Sequence, residues 1–194
     1  MKRLVSLVLV LGLLLTLCSC GQTPDKDDDS TSATQPSVTQ PTEKLLQEDI
    51  AGKVLQEGDR MADLTITDMD GQSVSLSTLL EEKELVILNF WYVDCVFCVR
   101  EFPAMSEAYA EHKEQVAIYA LNPMDKEFRI KQFRTENAHL QFPMAQCPMA
   151  WAQAFNITGF PTTVVIGKDG IIQKVHTGAY MEKSEWEDLF NQYM

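Results

Sequence analysis

The chain has 194 residues, which is enough for one folded domain with additional segments. It carries 28 acidic and 16 basic residues, so its formal net charge at pH 7 is −12. We do not expect so acidic a chain to bind nucleic acid or anionic lipid through charge, because both require a cationic surface.

The N-terminus has the pattern of a signal peptide that ends at a lipidated cysteine. Lys2 and Arg3 precede an apolar run at residues 4–17, which is shorter than the roughly 20 residues of a membrane-spanning helix. The sequence Leu-Cys-Ser-Cys at positions 17–20 then resembles a bacterial lipobox. This resemblance implies cleavage before Cys20 and attachment of a diacylglyceryl group to its sulfur. An uncleaved anchor and a plain secretory signal are the alternatives.

Removal of residues 1–19 would take away two basic residues and no acidic ones, leaving a net charge of −14. Residues 21–42 are predicted to form a flexible linker, since 18 of these 22 residues are Pro, Ser, Thr, Asp or Gln. Such a composition cannot bury enough apolar surface to offset its ordering entropy. A short helix is predicted in residues 43–56. We therefore assign residues 20–57 to the lipidated cysteine and linker, and residues 58–194 to one folded domain.

The domain begins with a predicted hairpin around the turn Asp70-Gly71, in which Leu64, Ile66, Val74 and Leu76 are the apolar strand residues. The hairpin is followed by a continuous apolar run, which only Asn89 interrupts. Such a run is typical of a strand buried on both faces. The elements predicted from this run onward are a strand at 85–91, a helix at 96–112, a strand at 116–121 and a helix at 125–137.

The second half of the domain is predicted to contain a helix at 148–156, with Pro148 at its first position. Two strands at 162–166 and 171–175 are joined by the turn Lys-Asp-Gly at 168–170, and a last helix covers 182–193. Strands that alternate with helices and end in a hairpin and a helix favour an α/β sandwich with a mixed sheet.

Cys95 and Cys98 lie between the predicted strand at 85–91 and the helix at 96–112. The N-terminus of a helix offers unpaired N–H groups and the positive end of its dipole, which favour a thiolate. Thiols placed there have pKa values of about 3.5–7.5 instead of about 8.5. We therefore predict that Cys95 is the exposed nucleophile and that Cys98, about one turn further on, resolves the mixed disulfide.

A zinc half-site and a structural disulfide are the alternatives for this pair. Structural zinc usually needs four ligands, but no second Cys pair is present, and His112, His139 and His176 are scattered singly. A structural disulfide across two residues closes a very small loop and stabilises little. Redox chemistry is therefore favoured, and no metal or other cofactor is expected.

Together, further motifs resemble the thioredoxin superfamily and, within it, the extracytoplasmic TlpA/ResA-like group. They are Asp-Gly-Gln-Ser-Val-Ser-Leu at 70–76, Asn-Phe-Trp at 89–91, Glu-Phe-Pro at 101–103, Gly-Phe-Pro-Thr-Thr at 159–163 and Lys-Asp-Gly at 168–170. The resemblance covers residues 58–194. It implies a thioredoxin-like three-layer α/β/α sandwich with a mixed central sheet and an N-terminal β-hairpin, and thiol–disulfide oxidoreductase activity.

The resemblance also implies roles for residues near the cysteine pair. Pro161 matches a cis-proline that faces the pair, and the backbone of Phe160 would pair with a substrate strand. Trp91 is the third residue predicted to bind substrate. Glu101 matches a glutamate placed near the pair, where it would act in proton transfer or substrate choice. The alternative for Glu101 is a solvated charge on the helix surface.

Three residues depart from the expected pattern or add to it. Asp94 stands directly before Cys95, where the family commonly has Trp, and its carboxylate would disfavour a thiolate. Asn89 replaces the buried Asp of cytosolic thioredoxins, which leaves Glu101 as the candidate to substitute for it. Cys147 lies at a predicted helix N-cap and is either a third reactive thiol or a semi-buried free cysteine, which we favour.

These features predict a monomeric enzyme, anchored by Cys20 to the outer face of the cell membrane, that reduces disulfides of extracytoplasmic proteins. The resemblance implies apocytochrome c or a methionine sulfoxide reductase as substrate and a membrane thiol transporter of CcdA type as electron donor. A peroxiredoxin is one rival, but Leu88 and Tyr92 occupy the Pro and Thr/Ser positions of its Pro-x-x-x-Thr/Ser-x-x-Cys motif. A non-catalytic binding lipoprotein is the other, and the intact cysteine pair argues against it.

Overall fold

A computed structural model describes residues 54–194 of the chain. The predicted signal peptide, Cys20, the linker and most of the helix predicted at 43–56 lie outside the described residues. The elements in the described part are β1 (Thr65–Thr67), β2 (Ser73–Ser75), α1 (Leu76–Glu82), β3 (Leu85–Phe90), α2 (Val96–His112), β4 (Val116–Asn122), α3 (Glu127–Glu136), β5 (Met144–Gln146), α4 (Met149–Ala154), β6 (Thr162–Gly167), β7 (Ile172–Thr177) and α5 (Lys183–Tyr193).

Five strands form the central sheet in the order β5-β4-β3-β6-β7. Strands β3, β4 and β5 are parallel to one another, whereas β6 is antiparallel to β3 and β7 is antiparallel to β6. The carboxyl ends of β3, β4 and β5 therefore meet at the same edge of the sheet at which β6 begins. The separate pair β1-β2 is the predicted hairpin.

Strand β3 is fully buried along its whole length, as its apolar sequence predicts. Its side chains alternate between two core layers, with Val86, Leu88 and Phe90 in one layer and Leu85 and Ile87 in the other. The first layer also contains apolar residues of α1, α4 and the hairpin, and the second contains those of α2, α3 and α5. This arrangement confirms the predicted three-layer α/β/α sandwich with a mixed sheet and an N-terminal hairpin.

Helix α1 and strand β5 were not predicted from the sequence. Leu76 was assigned to a hairpin strand, but it begins α1 because the Ser75 hydroxyl accepts a hydrogen bond from the Thr78 N–H and caps the helix. Strand β5 has only three residues and no β-branched side chain. The prediction that Pro148 occupies the first helical position is also wrong, because Pro148 is the N-cap of α4.

The described fold includes residues that precede position 58. Leu55 is buried, and its N–H donates to the Ala154 carbonyl at 2.7 Å. The Gly58 N–H likewise donates to the Ile172 carbonyl at 2.8 Å, so this segment is fastened to both α4 and β7. None of the helices within residues 54–194 combines the length and the apolar character that crossing a membrane requires.

Candidate redox site

Cys95 and Cys98 form a disulfide at the N-terminus of α2, with their Cα atoms 5.3 Å apart. Cys95 is the N-cap residue of the helix, and its Sγ accepts a hydrogen bond from the Cys98 N–H at 3.2 Å. The sulfur of Cys95 thus already contacts an N–H group of the first helical turn. When the disulfide is reduced, this contact favours a thiolate at Cys95 over one at Cys98.

The prediction that Cys95 is exposed is wrong for this oxidised form. The residue is 4% exposed, while Cys98 is fully buried. Both cysteines belong to a buried apolar cluster, and Tyr92, Val93 and Phe160 are partly buried and pack against that cluster. Cys95 is still the more accessible of the two cysteines, which is the order that the predicted roles require.

Glu101 is fully buried one helical turn after Cys98. Its Oε1 accepts a hydrogen bond from Asn89 Nδ2 at 2.9 Å, and its Oε2 accepts one from the Tyr180 N–H at 3.1 Å. Burial raises the pKa of Glu101 to about 8, although these two hydrogen bonds act in the opposite direction. The alternative of a solvated surface charge is therefore wrong, and Glu101 is a carboxylic acid that titrates near neutral pH.

Asn89 holds Glu101 against the central sheet. The register of β3 and β6 pairs Asn89 with Thr163, and Asn89 Nδ2 also donates to Thr163 Oγ1 at 3.3 Å. The oxygen of the same amide, Oδ1, is buried and has no hydrogen-bond partner among the described residues. One polar cluster therefore connects β3, β6, α2 and the segment before α5, and it includes an acceptor that is free when Glu101 carries a proton.

Pro161 follows a cis peptide bond, as predicted, and is buried at the start of β6. Because β6 pairs Thr162 with Phe90, the last residue of β3, this proline lies at the edge of the sheet that carries the cysteine pair. The Pro161 carbonyl accepts a hydrogen bond from the Gly178 N–H at 3.0 Å. The backbone of Phe160, in contrast, forms no hydrogen bond within residues 54–194, and its ring lies edge-to-face against Tyr92 with the centroids 5.4 Å apart.

Trp91 does not lie where a substrate could contact it. Its side chain is fully buried, and its ring centroid is 5.1 Å from that of Phe102 and 4.9 Å from that of Phe133. The prediction that Trp91 binds substrate is therefore wrong for its side chain, since the apolar contacts leave it no exposed surface. Its role is to pack α2 and α3 onto the end of β3.

An ion-pair network beside the cysteines was not predicted. Arg129 Nη2 lies 3.0 Å from Asp94 Oδ1, and its Nη1 lies 2.7 Å from Asp125 Oδ1. The other oxygen of Asp125 accepts hydrogen bonds from the Val93 N–H at 2.7 Å and from Asn122 Nδ2 at 3.0 Å. The (i, i+4) spacing of Asp125 and Arg129 is a signal from which half of this network could have been predicted, but no local signal joins Arg129 to Asp94 across 35 residues.

Cys147 is a buried free cysteine in the core layer on the opposite face of the sheet from the disulfide. Burial raises the pKa of its thiol, so the alternative of a reactive thiol activated by a helix is wrong. It precedes the N-cap of α4 instead of occupying it. In the described part of the chain, no group of three or more His, Cys, Asp or Glu residues is placed to hold a metal ion.

Comparison with known proteins identifies the family of the chain. The chain matches the AhpC/TSA family over residues 58–175. It is 36% identical over 128 residues to the thiol-disulfide oxidoreductase ResA of Halalkalibacterium halodurans, covering 65% of this chain and 71% of that protein. It is 32% identical over 135 residues to the thioredoxin-like protein YneN of Bacillus subtilis, covering 69% of this chain and 78% of that protein.

Two solved structures show the same fold. The exposed lipoprotein thioredoxin Etrx1 of Streptococcus pneumoniae aligns with a TM-score of 0.60 and 22% identity, over 68% of this chain and 99% of that chain. StoA of Bacillus subtilis aligns with a TM-score of 0.57 and 21% identity, over 66% and 96% of the respective chains. The chain therefore belongs to the AhpC/TSA family and is a thiol–disulfide oxidoreductase of the ResA type.

Proposed function

We propose that the chain is a membrane-tethered reductase that transfers two electrons from the Cys95–Cys98 dithiol to disulfides of proteins outside the cytoplasm. The observation that carries this proposal is the geometry of the pair at the start of α2. The Cys95 sulfur accepts a hydrogen bond from the Cys98 N–H, and the buried Glu101 lies one helical turn after Cys98. Chemistry at such a pair needs no cofactor, since both electrons come from the two sulfurs.

Reduction of a substrate begins when the Cys95 thiolate attacks one sulfur of the substrate disulfide. A mixed disulfide forms, and the first substrate thiolate leaves and takes up a proton. Cys98 then loses its proton and attacks the Cys95 sulfur, which closes the Cys95–Cys98 bond and releases the second substrate thiolate. The enzyme dithiol is thereby oxidised and the substrate disulfide reduced. A membrane thiol transporter of CcdA type would restore the dithiol.

In its carboxylate form, Glu101 is suited to accept the proton that Cys98 loses. Its pKa of about 8 places its titration close to that of an ordinary thiol, so proton transfer between the two groups is nearly balanced near neutral pH. The free Oδ1 of Asn89 can accept a hydrogen bond from the protonated carboxyl after rotation of the amide. The cluster can therefore store one proton during resolution.

The environment of the Cys95 and Cys98 sulfurs favours a pair that reduces its substrates over a pair that oxidises them. A pair becomes a strong oxidant when its reduced thiolate is highly stabilised. Here both cysteines belong to a buried apolar cluster, and Glu101, one helical turn after Cys98, offers no positive charge in either protonation state. Neither feature stabilises a thiolate, so both favour a low reduction potential of the Cys95–Cys98 pair.

The tether is proposed from the lipobox-like sequence that ends at Cys20. The Etrx1 protein, which has the same fold, is itself named an exposed lipoprotein. We therefore place the domain outside the cytoplasm, where its substrates would be disulfides of extracytoplasmic proteins such as apocytochrome c or a methionine sulfoxide reductase. Replacing Cys20 with Ser should abolish incorporation of labelled fatty acid and release the protein from the membrane. Continued fatty-acid incorporation and continued membrane association of the Cys20→Ser variant would contradict the tether.

The reductase activity is tested with insulin disulfides as substrate and a small dithiol as electron donor. We expect Cys95→Ser to abolish turnover and Cys98→Ser to accumulate a mixed disulfide with the substrate, while the matched control Cys147→Ser keeps full activity. Turnover by Cys95→Ser would overturn the proposed mechanism. Peroxide consumption by the reduced chain would instead favour a peroxidase, an activity that the buried Leu88 in place of the motif's proline argues against.

A further inference from the structure

Exposed apolar side chains are concentrated at the end of the sheet that carries the disulfide. Seven large apolar side chains are exposed within residues 54–194, and two of them, Val54 and Met194, are at the ends of this range. The remaining five are between 41% and 65% exposed. They are Val96, Phe97, Met124, Phe128 and Met149.

The topology of the sheet brings these five residues to one edge. Val96 and Phe97 follow β3, Met124 and Phe128 follow β4, and Met149 follows β5. Since β3, β4 and β5 are parallel, their carboxyl ends lie side by side. The ion pair between Arg129 and Asp94 fastens the first turn of α3 directly to the loop that carries Cys95. We call these five residues the apolar rim.

The charge around the apolar rim differs from that of the rest of the domain. Residues 54–194 contain 11 basic and 21 acidic residues, a net charge of −10. The acidic residues near the rim are paired, because Asp94 and Asp125 contact Arg129 and Glu127 contacts Lys131.

Two cations at the rim have no such partner. Arg100, one turn after Val96 in α2, and Lys126, between Met124 and Phe128, are exposed and form no ion pair within the described residues. The rim is thus an apolar surface beside two exposed cations that have no ion-pair partner among the described residues, on an otherwise acidic domain.

We propose that the apolar rim selects protein substrates whose disulfide lies in an extended segment with apolar side chains and at least one acidic side chain. This inference rests on the proposed reductase function and adds its substrate class. The free backbone of Phe160 can pair with the extended segment, the rim covers its apolar side chains, and Arg100 or Lys126 pairs with its carboxylate.

A second copy of this chain fits the surface less well than such a segment. A symmetric dimer through the rim would bring Arg100 and Lys126 close to their own copies, and like charges at an interface are unfavourable. A basic segment would meet the same repulsion. The rim therefore favours an acidic and apolar partner over a second copy and over a cationic partner.

The test uses the full chain in its reduced form and three peptides that contain the same disulfide. The residues that flank the disulfide are Leu and Glu in the first peptide, Leu and Lys in the second, and Ser and Glu in the third. Each kcat/KM is divided by the rate with 2-hydroxyethyl disulfide for the same variant. We expect the Leu/Glu peptide to exceed each of the others by about fivefold, and this preference to decrease at high salt.

Two variants and two matched controls assign the preference to the rim. Lys126→Glu should reverse the preference for Glu over Lys, and the double substitution Met124→Ser, Phe128→Ser should remove the preference for Leu over Ser. Lys113→Glu and Met194→Ser, both exposed and remote from the disulfide, should change neither preference.

The outcomes separate this inference from the proposed function. Equal rates for the three peptides, or a preference that Lys126→Glu and the double substitution leave unchanged, would overturn the inference while turnover of the small disulfide upholds the reductase. Concentration-dependent dimerisation that the double substitution abolishes would overturn it in favour of a second copy. Absence of turnover with every disulfide would reject the reductase itself.

Discussion

Arg129 forms an ion pair with Asp94, the residue directly before Cys95, with Nη2 3.0 Å from Oδ1 and 3.2 Å from Oδ2. The same guanidinium contacts Asp125, which accepts the Val93 N–H. Arg129 therefore offsets the carboxylate that the sequence places next to the nucleophile, and it fastens the loop that carries the nucleophile to α3. Because of this contact, Asp94 destabilises the Cys95 thiolate less than its position in the sequence alone suggests.

Replacing Arg129 with Met should decrease the reactivity of Cys95. Without the guanidinium, the carboxylates of Asp94 and Asp125 act on the sulfur uncompensated and disfavour its thiolate. We expect alkylation of the reduced protein at Cys95 by iodoacetamide at pH 7 to slow by about threefold at low salt. The rate is measured by mass spectrometry of the peptide that contains Cys95.

The control for this prediction is Lys131→Met, which removes a neighbouring cation that is paired with Glu127. It should leave the alkylation rate unchanged. Adding Asp94→Asn to Arg129→Met should recover part of the lost reactivity, because it removes one of the two uncompensated carboxylates. Equal rates for the unmodified chain and Arg129→Met would show that the network is structural only.

The raised pKa of Glu101 makes stability depend on pH in a defined direction. The carboxyl has a pKa of about 8 in the folded chain and about 4.3 in the unfolded chain, so between these values only the folded state holds the proton. Unfolding then releases a proton, and the contribution of Glu101 to stability falls as pH rises from about 4.3 to 8. It is constant below and above that window.

Glu101→Gln removes this dependence. The free energy of unfolding of the Gln variant, minus that of the unmodified chain, should increase with pH by up to about 1.4 kcal/mol per unit between pH 5 and 7.5. Urea unfolding at several pH values measures the difference. Glu107→Gln, which changes an exposed glutamate of the same helix, is the control and should give a nearly constant difference. A constant difference for Glu101→Gln would mean that its pKa is ordinary.

The Trp91→Phe variant should show whether the Trp91 side chain serves core packing or substrate binding. The indole is fully buried between Phe102 and Phe133, and its Nε1–H has no hydrogen-bond partner among the described residues. The smaller ring leaves part of the site unfilled, so we expect a loss of about 1–2 kcal/mol in the free energy of unfolding. The kcat/KM with a peptide disulfide should stay within about twofold of that of the unmodified chain. A large rise in KM with unchanged stability would instead restore Trp91 as a substrate contact.

Cys147 should be unreactive in the folded protein. It is buried in the core layer opposite the disulfide, and burial raises the pKa of its thiol. Iodoacetamide at pH 8 should therefore not label the peptide that contains Cys147 until the chain is unfolded in urea, whereas Cys95 should be labelled after reduction of the native protein. Labelling of Cys147 under native conditions at a rate comparable to that of Cys95 would contradict its assignment as a buried core residue.

The parts of the fold that could be predicted are those in which local pattern and tertiary packing agree. The apolar run before the cysteine pair predicted β3, and the strand-to-helix junction predicted α2 from Val96 to His112 without error. Helix α1 was missed because Ser75 serves as the last residue of β2 and as a helix cap at once. A residue with two such roles carries no distinct local signal.

The candidate site could likewise be predicted only in part. Cys95, Cys98, Glu101 and Pro161 lie in short motifs and could be recognised from them. The burial of Glu101 could not be predicted, because it depends on Asn89 and Tyr180, which reach it from distant parts of the chain. The apolar rim is likewise visible only when the parallel ends of three strands are brought together.

The reduction potential of the Cys95–Cys98 pair tests the account most directly. It can be measured by equilibrating the full chain with glutathione or dithiothreitol buffers of known potential and quantifying the disulfide by alkylation and mass spectrometry. A reductase with its disulfide in apolar surroundings should have a potential of about −220 mV or below, in the range of glutaredoxin and thioredoxin. A value near −120 mV, typical of a strong oxidant such as DsbA, would contradict net reduction by this pair.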